Sequence, residues 1–244
     1  MRQGAAALAG ILAIIALTAA CSDDSNGSGS TTSSASPSSS SATVEPAPSG
    51  DMRLVRGTVS TGGDATIDAV FAIEESTSAT PEPGPYDLQF LDADGSVLSS
   101  TSFDVLEPVE DGSADDSMIF AVPVPEPGPE AVELRVLRDG EQVGSTSASG
   151  AAPTVTITAP SEGETLSDEE VTVAWTGKDA DDDGLTYLVA FRAADQTWTT
   201  LGIGDQPETV LYPGDYLPGS NGTIRVIASD GFHSSSADLR VVIG

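Results

Sequence analysis

The feature that most constrains the fold is a pattern of short alternating segments that runs from Met52 to the C-terminus. Apolar and polar residues alternate within most of these segments, and glycine, proline and aspartate separate one segment from the next. A period of two is typical of β-strands that are buried on one face only. Because no segment shows the spacing of an amphipathic helix, the sequence predicts an all-β fold.

The alternating segments fall into two sets of about seven, separated by the small-residue stretch at 148–153. In the first set, Ile67, Ala69, Phe71 and Ile73 are predicted to share one inward face. In the second, Trp175 alternates with two valines and is predicted to lie in the core. Seven short strands in about 100 residues are typical of an immunoglobulin-type sandwich. We therefore predict two tandem seven-stranded Greek-key β-sandwiches, at residues 51–150 and 151–244.

The N-terminus has the order of a secretion signal. Arg2 supplies a positive charge, an apolar run occupies residues 5–16, and Leu17-Thr18-Ala19-Ala20-Cys21 follows. The apolar run is too short to span a bilayer comfortably, which favours a removable signal peptide at 1–20. The segment resembles the lipobox of bacterial lipoproteins. That resemblance implies lipidation of Cys21 with acyl chains such as palmitate. The alternative is an ordinary free or disulfide-forming thiol in a secreted protein.

Three compositional features limit what the exported chain can be. Residues 21–50 contain mostly Ser, Thr, Gly, Pro and Asp, and such a segment predicts a disordered tether between the anchor and the first sandwich. Cys21 is the only cysteine, so its lipidation excludes a structural disulfide. The formal net charge of −29 repels phosphate backbones, so we expect no nucleic-acid partner.

The second segment, residues 153–244, resembles the fibronectin type III and bacterial immunoglobulin-like modules of exported bacterial proteins. The likeness is carried by the following stretches: Val171-Thr172-Val173-Ala174-Trp175, the acidic run from Asp179 to Tyr187, Asp195-Gln196-Thr197-Trp198, and Arg225-Val226-Ile227-Ala228-Ser229-Asp230-Gly231. The resemblance implies a β-sandwich. It also implies a spacer or binding module of the kind that accompanies secreted proteases, glycosidases and adhesins, without catalytic residues of its own.

The acidic run contains the one candidate metal site. Asp179, Asp181, Asp183 and Gly184 match the start of the calcium-loop pattern D-x-[DN]-x-[DN]-G, in which alternate carboxylates converge on a hard cation. The twelfth position, where an EF-hand needs a bidentate glutamate, is Ala190, so an EF-hand is excluded. A different calcium site that uses the three aspartates and a solvated acidic loop remain the two alternatives. No other cofactor is expected.

The remaining candidate site is aromatic. Trp198, Tyr212 and Tyr216 could stack on a sugar or contact a protein if they share an exposed face, although aromatic residues at strand spacing more often belong to a core. The only histidine, His233, lies near serines and aspartates, but no Gly-x-Ser-x-Gly elbow accompanies it. We therefore predict no catalytic residues and no enzyme activity.

These features together predict a non-enzymatic lipoprotein of the cell envelope. It would be anchored in the cell membrane or outer membrane, facing the periplasm or the exterior, and its two sandwiches would bind or adhere to a protein or glycan. Two alternatives stay open: a passive structural or spacer subunit of a surface complex, and an accessory subunit of a secreted hydrolase system.

Overall fold

The computed structural model describes residues 52–74, 80–106, 117–194 and 196–244. All of them belong to one compact unit, Pro46–Gly244. The predicted signal peptide, Cys21 and the tether lie outside the described residues, so those predictions stay untested. Within the described ranges, no helix has the length and apolar character needed to cross a bilayer.

The described residues form strands almost throughout, with one short 3-10 helix at Pro213–Asp215. The fifteen strands are β1 Met52–Val59, β2 Ala65–Ile73, β3 Tyr86–Leu91, β4 Val97–Phe103, β5 Met118–Pro125, β6 Glu133–Arg138, β7 Glu141–Ser147, β8 Thr154–Ala159, β9 Thr165–Leu166, β10 Val171–Lys178, β11 Thr186–Ala193, β12 Thr199–Gly204, β13 Glu208–Leu211, β14 Asn221–Ser229 and β15 Ser234–Ile243.

Strands β1 to β7 make the first pair of sheets, which we call the first sandwich. One sheet has the order β2-β1-β5 and the other β4-β3-β6-β7, and all pairings are antiparallel. Their inward side chains form one apolar core, in which the Phe103 ring lies 5.5 Å from Tyr86 and 5.1 Å from Phe120. Packed aromatic rings add to the free energy of burial beyond their area alone.

Strands β8 to β15 make the second sandwich. Its sheets have the orders β13-β10-β8 and β12-β11-β14-β15-β9, and β9 runs parallel to β15. The described residues of the second sandwich form eight strands rather than the seven predicted. The additional strand is the two-residue β9, which is too short to give a sequence pattern. Trp175 is 4% exposed and packs edge-on against Tyr187, in the core as predicted. The all-β sandwich fold is confirmed, whereas the division into two tandem domains stays a prediction.

A β-bulge in β2 corrects one prediction. Arg56 pairs with Ala69 and Gly57 with Ile67, so Asp68 is an extra residue in the ladder. An extra residue reverses which face the following side chains occupy. Ile67 therefore packs on the core of the first sandwich, whereas Ala69, Phe71 and Ile73 pack against the second sandwich. The prediction that these four residues share one face was wrong. The bulged residue itself is partly buried, and burial raises the pKa of the Asp68 carboxyl.

Candidate functional site

The two sandwiches meet at an apolar contact that belongs to neither core. Its buried members are Ala69, Phe71, Leu188, Ala190 and Ile227, with Leu54, Ile73 and Trp198 packed around them. We call this cluster, together with the serine contacts and the Glu74 network described below, the joint. The strand β2 contributes one side, and the outer face of the five-stranded sheet contributes the other. The joint thus removes from water a sheet face that a sandwich usually exposes.

Serine hydroxyls complete the joint along the free edge of β2. This strand pairs only with β1, so every second backbone N–H of β2 lacks a strand partner. Val70 N donates to Ser229 Oγ at 3.0 Å, and Ala72 N donates to Ser234 Oγ at 3.0 Å. Ser229 is fully buried and also accepts from Gly231 N at 3.2 Å. Two serine side chains of the second sandwich therefore accept the hydrogen bonds that a neighbouring strand would otherwise accept.

The charged part of the joint converges on Glu74, at the end of β2. Trp198 Nε1 donates to Glu74 Oε2 at 3.1 Å, and Arg225 Nη1 donates to Glu74 Oε1 at 2.8 Å. Arg225 also donates to both carboxylate oxygens of Asp238, at 2.7 and 2.8 Å. Two guanidinium groups lie over the Trp198 ring, and the Cζ atoms of Arg192 and Arg225 are each 4.4 Å from its centroid.

These contacts fix the charge states of the Glu74 network. Hydrogen bonds from Arg225 and Trp198 hold the pKa of the Glu74 carboxyl below its usual value, because they favour the ionised form. The hydrogen bond to Asp238, followed by that to Glu74, raises the pKa of the Arg225 guanidinium. Guanidinium groups that lie over an indole ring add cation–π attraction. The Glu74 carboxylate and the Arg225 guanidinium are therefore ionised at neutral pH, and their ion pair favours a closed joint.

A turn of the second sandwich also enters the first. Phe232 belongs to the core cluster of the first sandwich and packs edge-on against Phe90, with 6.1 Å between ring centroids. Asp230 Oδ1 accepts from the backbone N–H groups of Phe232 and His233, at 2.8 and 2.6 Å. Gly231 has a φ of 104°, which only glycine adopts without strain. The tight turn thus carries the aromatic ring into the neighbouring core.

Ser149, Asp230 and His233 meet beside this turn, but their geometry does not form a catalytic relay. In a relay, histidine uses one ring nitrogen for serine and the other for aspartate. Here Ser149 Oγ and Asp230 Oδ2 both face His233 Nδ1, at 3.4 and 3.5 Å, and they hydrogen-bond each other directly at 2.7 Å. Ser149 Oγ also lies 3.2 Å from Ala151 O, a weaker contact for the same hydroxyl proton. The group ties the connecting segment to the turn.

The structure brings the three predicted metal ligands together. Asp179, Asp181 and Asp183 each offer a carboxylate oxygen, and these oxygens lie within 4.8 Å of one another. Asp179 Oδ2 is buried and has no hydrogen-bond partner among the described residues. Asp181 Oδ2 accepts from Ala151 N at 3.0 Å, which places the loop against the segment that connects the sandwiches. Clustered carboxylate oxygens are the ligands that calcium prefers.

The three predicted aromatic contacts lie in different surroundings. Trp198 is part of the joint, and Tyr212 is 48% exposed. Tyr216 packs against the core of the second sandwich, 4.5 Å from Phe191, and burial raises the pKa of its hydroxyl. Their role in ligand binding stays a prediction. No functional role was predicted from the sequence for Glu74 or Arg225.

Comparison with known proteins gives only distant likenesses. No family model matches the chain, and no curated protein matches it. A solved two-domain fibronectin type III segment of chicken tenascin is similar, with 14% identity and a TM-score of 0.28, covering 79% of this chain and 98% of that one. A chain of a cytokine receptor complex is similar with 17% identity and a TM-score of 0.26, covering 72% and 91%. Likenesses at this level say nothing about function.

Proposed function

We propose that this chain is a non-enzymatic lipoprotein of the cell envelope whose two β-sandwich domains, 51–150 and 151–244, act together as a binding module for an envelope protein or glycan. The observation that carries the proposal is the joint. Its apolar cluster, serine hydroxyls and Glu74 network connect the sandwiches by three kinds of contact. A fixed arrangement lowers the conformational entropy lost when a ligand contacts both sandwiches.

The passive alternatives use the same joint differently. A spacer or structural subunit needs stiffness but no ligand, and an accessory subunit of a secreted hydrolase system would hold an enzyme near its substrate. Interfaces between domains of one chain are usually more polar than obligate interfaces and allow relative motion. The fully buried Phe71 and the entry of Phe232 into the neighbouring core favour a stiff connection instead. Stiffness alone serves all three roles, so ligand binding is the property to measure.

The binding test uses the full-length chain purified in detergent and isolated cell envelopes of the source organism. We expect saturable binding that is lost when the envelopes are treated with protease, or alternatively with periodate, which would identify a protein or a glycan as the ligand. The Phe71→Ala variant, which loosens the joint, should bind more weakly than Leu217→Ala, whose side chain is 71% exposed. Absence of saturable binding would favour the passive structural role, and hydrolysis of an envelope polymer would contradict the proposal.

The membrane anchor is proposed at Cys21, with the protein held in the cell membrane or outer membrane and facing the periplasm or exterior. Two or more acyl chains give stable retention, whereas one gives only reversible binding. Cells grown with an alkyne analogue of palmitate should label the wild-type chain and fractionate it with membranes. Cys21→Ser should lose both the label and the membrane association. Labelling that persists in Cys21→Ser would contradict the anchor.

We also propose that the loop of Asp179, Asp181 and Asp183 binds calcium. The buried Asp179 Oδ2 supports this, because a cation would satisfy an oxygen to which no described residue donates a hydrogen bond. A ligand that binds only the folded state raises the melting temperature. Calcium should therefore raise the Tm relative to chelator in wild type and in Asp94→Asn, a remote surface control, but not in Asp181→Asn. An unchanged Tm in wild type at millimolar calcium would exclude the site.

A further inference from the structure

An open cavity of about 790 Å³ lies on the outer face of the five-stranded sheet, beyond the joint. Arg192 on β11 pairs with Thr223 on β14, and Thr223 pairs with Arg240 on β15, so the three residues form one row across neighbouring strands. The neighbours of this row in sequence, Phe191, Ile224 and Val241, point into the core. Side chains alternate along a strand, so the row points outward. The cavity is of the size that holds small ligands.

The charge of this row is unusual for the chain. The protein carries 38 acidic and 9 basic residues, yet two arginines line one cavity. The Arg240 side chain is exposed and makes no hydrogen bond or ion pair with any described residue. Arg192 Nη1 is 3.5 Å from Glu74 Oε2, a long contact that leaves most of its donors open. Glu162 also lines the cavity, but its Oε2 accepts from the backbone N of Arg240 at 3.1 Å.

We propose that this cavity binds the carboxylate of an acidic sugar through Arg192 and Arg240. Guanidinium groups match the geometry of a carboxylate and bind it with two parallel hydrogen bonds. The Thr223 hydroxyl and the amides of Gln196 and Asn221 also line the cavity and supply donors and acceptors for sugar hydroxyls. The described residues that line the cavity include no aromatic side chain, so recognition here depends on charge rather than on ring stacking.

This inference deepens the proposed binding role and rests on it, because it names an acidic glycan as the ligand class. The local field of the two arginines is short-ranged, since salt screens charges over about 8 Å at physiological ionic strength. An acidic sugar must therefore enter the cavity to gain from them, and elsewhere the strongly acidic surface repels it. The ligand should be recognised by its carboxylate at one place rather than by a general attraction to the protein.

The test is calorimetric titration of the full-length chain in detergent with trigalacturonate, and in parallel with its methyl ester, which has the same skeleton without the charges. We expect binding of the acid that weakens as salt is added, and no binding of the ester. Arg240→Gln should weaken binding about tenfold, the size expected for losing a charge-assisted hydrogen bond at an exposed site. Lys178→Gln removes the same charge outside this cavity and should leave binding unchanged.

Three outcomes would overturn the inference: equal binding of acid and ester, equal weakening by Arg240→Gln and Lys178→Gln, or no binding of trigalacturonate at millimolar concentration. Stronger binding to inorganic phosphate or to phosphatidylglycerol vesicles than to trigalacturonate would also overturn it, because the site would then be a general anion or lipid site. If the wild-type chain binds envelopes but not trigalacturonate, only this inference is contradicted. If it binds neither, the proposed function is contradicted as well.

Discussion

The substitution Phe71→Ala tests the joint directly. Phe71 is fully buried, contacts the second sandwich and belongs to neither sandwich core. Its truncation should therefore loosen the contact between the sandwiches while leaving both cores intact. Most core substitutions in a two-sandwich protein lack this selectivity, because they unfold the sandwich that carries them.

The expected cost follows from the burial of the ring. Truncation of a buried phenylalanine to alanine usually costs about 3–5 kcal/mol, which combines lost burial with the cavity left behind. We expect a value near the lower end, about 3 kcal/mol, because two sandwiches can move together more easily than a closed core can collapse. At about 1.4 kcal/mol per factor of ten, the equilibrium between closed and open joint shifts by more than a hundredfold.

The assay uses the position of the two tryptophans. Trp198 lies in the joint and Trp175 in the core of the second sandwich, so in a Trp175→Phe background the fluorescence reports the joint. On urea titration, Phe71→Ala should move the Trp198 transition to lower urea, ahead of the loss of the β-sheet circular dichroism signal. Leu217→Ala, at a largely exposed side chain, should move neither transition.

The reasoning fails if Phe71→Ala changes the free energy of unfolding seen by Trp198 by less than about 0.5 kcal/mol, the range of an ordinary surface substitution. It also fails if the Trp198 and circular dichroism transitions shift together by the same amount. The second result would mean that the joint cannot open without unfolding a sandwich. Measurement of both signals on one sample separates these cases.

Three further predictions follow from the described contacts. The pKa of Glu74 is lowered in the folded protein, so the stability that its ionised carboxylate contributes is present above the unfolded pKa and is lost as the pH falls through the folded pKa. In calorimetry, Tm should therefore fall less steeply with decreasing pH in Glu74→Gln than in wild type. An equal fall in both proteins would contradict this. Ser229→Ala should cost about 1–3 kcal/mol and speed hydrogen exchange at the Val70 amide. Gly57→Ala would place a β-carbon 2.1 Å from a backbone oxygen and should destabilise strongly, whereas Gly184→Ala, with nothing within 4 Å, should not.

The strands and the core residues could be predicted because the information for them is local. Alternation alone identifies Val173 and Trp175 as inward residues, and both are buried in the second core. The three aspartates of the acidic loop were also found locally, since a short spacing pattern brings their carboxylates within 4.8 Å. In each case, residues that act together lie close in sequence.

The charged part of the joint could not be predicted in this way. Glu74 and Trp198 are 124 positions apart, and neither residue has a sequence environment that indicates the other. The bulge at Asp68 was equally hidden, because it shifts the faces of β2 without interrupting its apolar pattern. Without the shift, Phe71 would point into the core of its own sandwich rather than toward the second.

One sequence signal that the predictions above did not use points to the joint. A sandwich strand with a solvent-exposed face alternates, whereas Tyr187 to Phe191 in β11 and Ala69 to Ile73 in β2 are apolar at every position. A run of this kind needs a packing partner on the outer face of its sheet. The run in β2 covers the run in β11, and the run in β11 covers that in β2. In β11 the run ends at Arg192, where the outward row becomes Arg192, Thr223 and Arg240. The change from apolar to charged along one strand therefore marks where the cover of β2 ends and where guanidinium groups become available to a ligand.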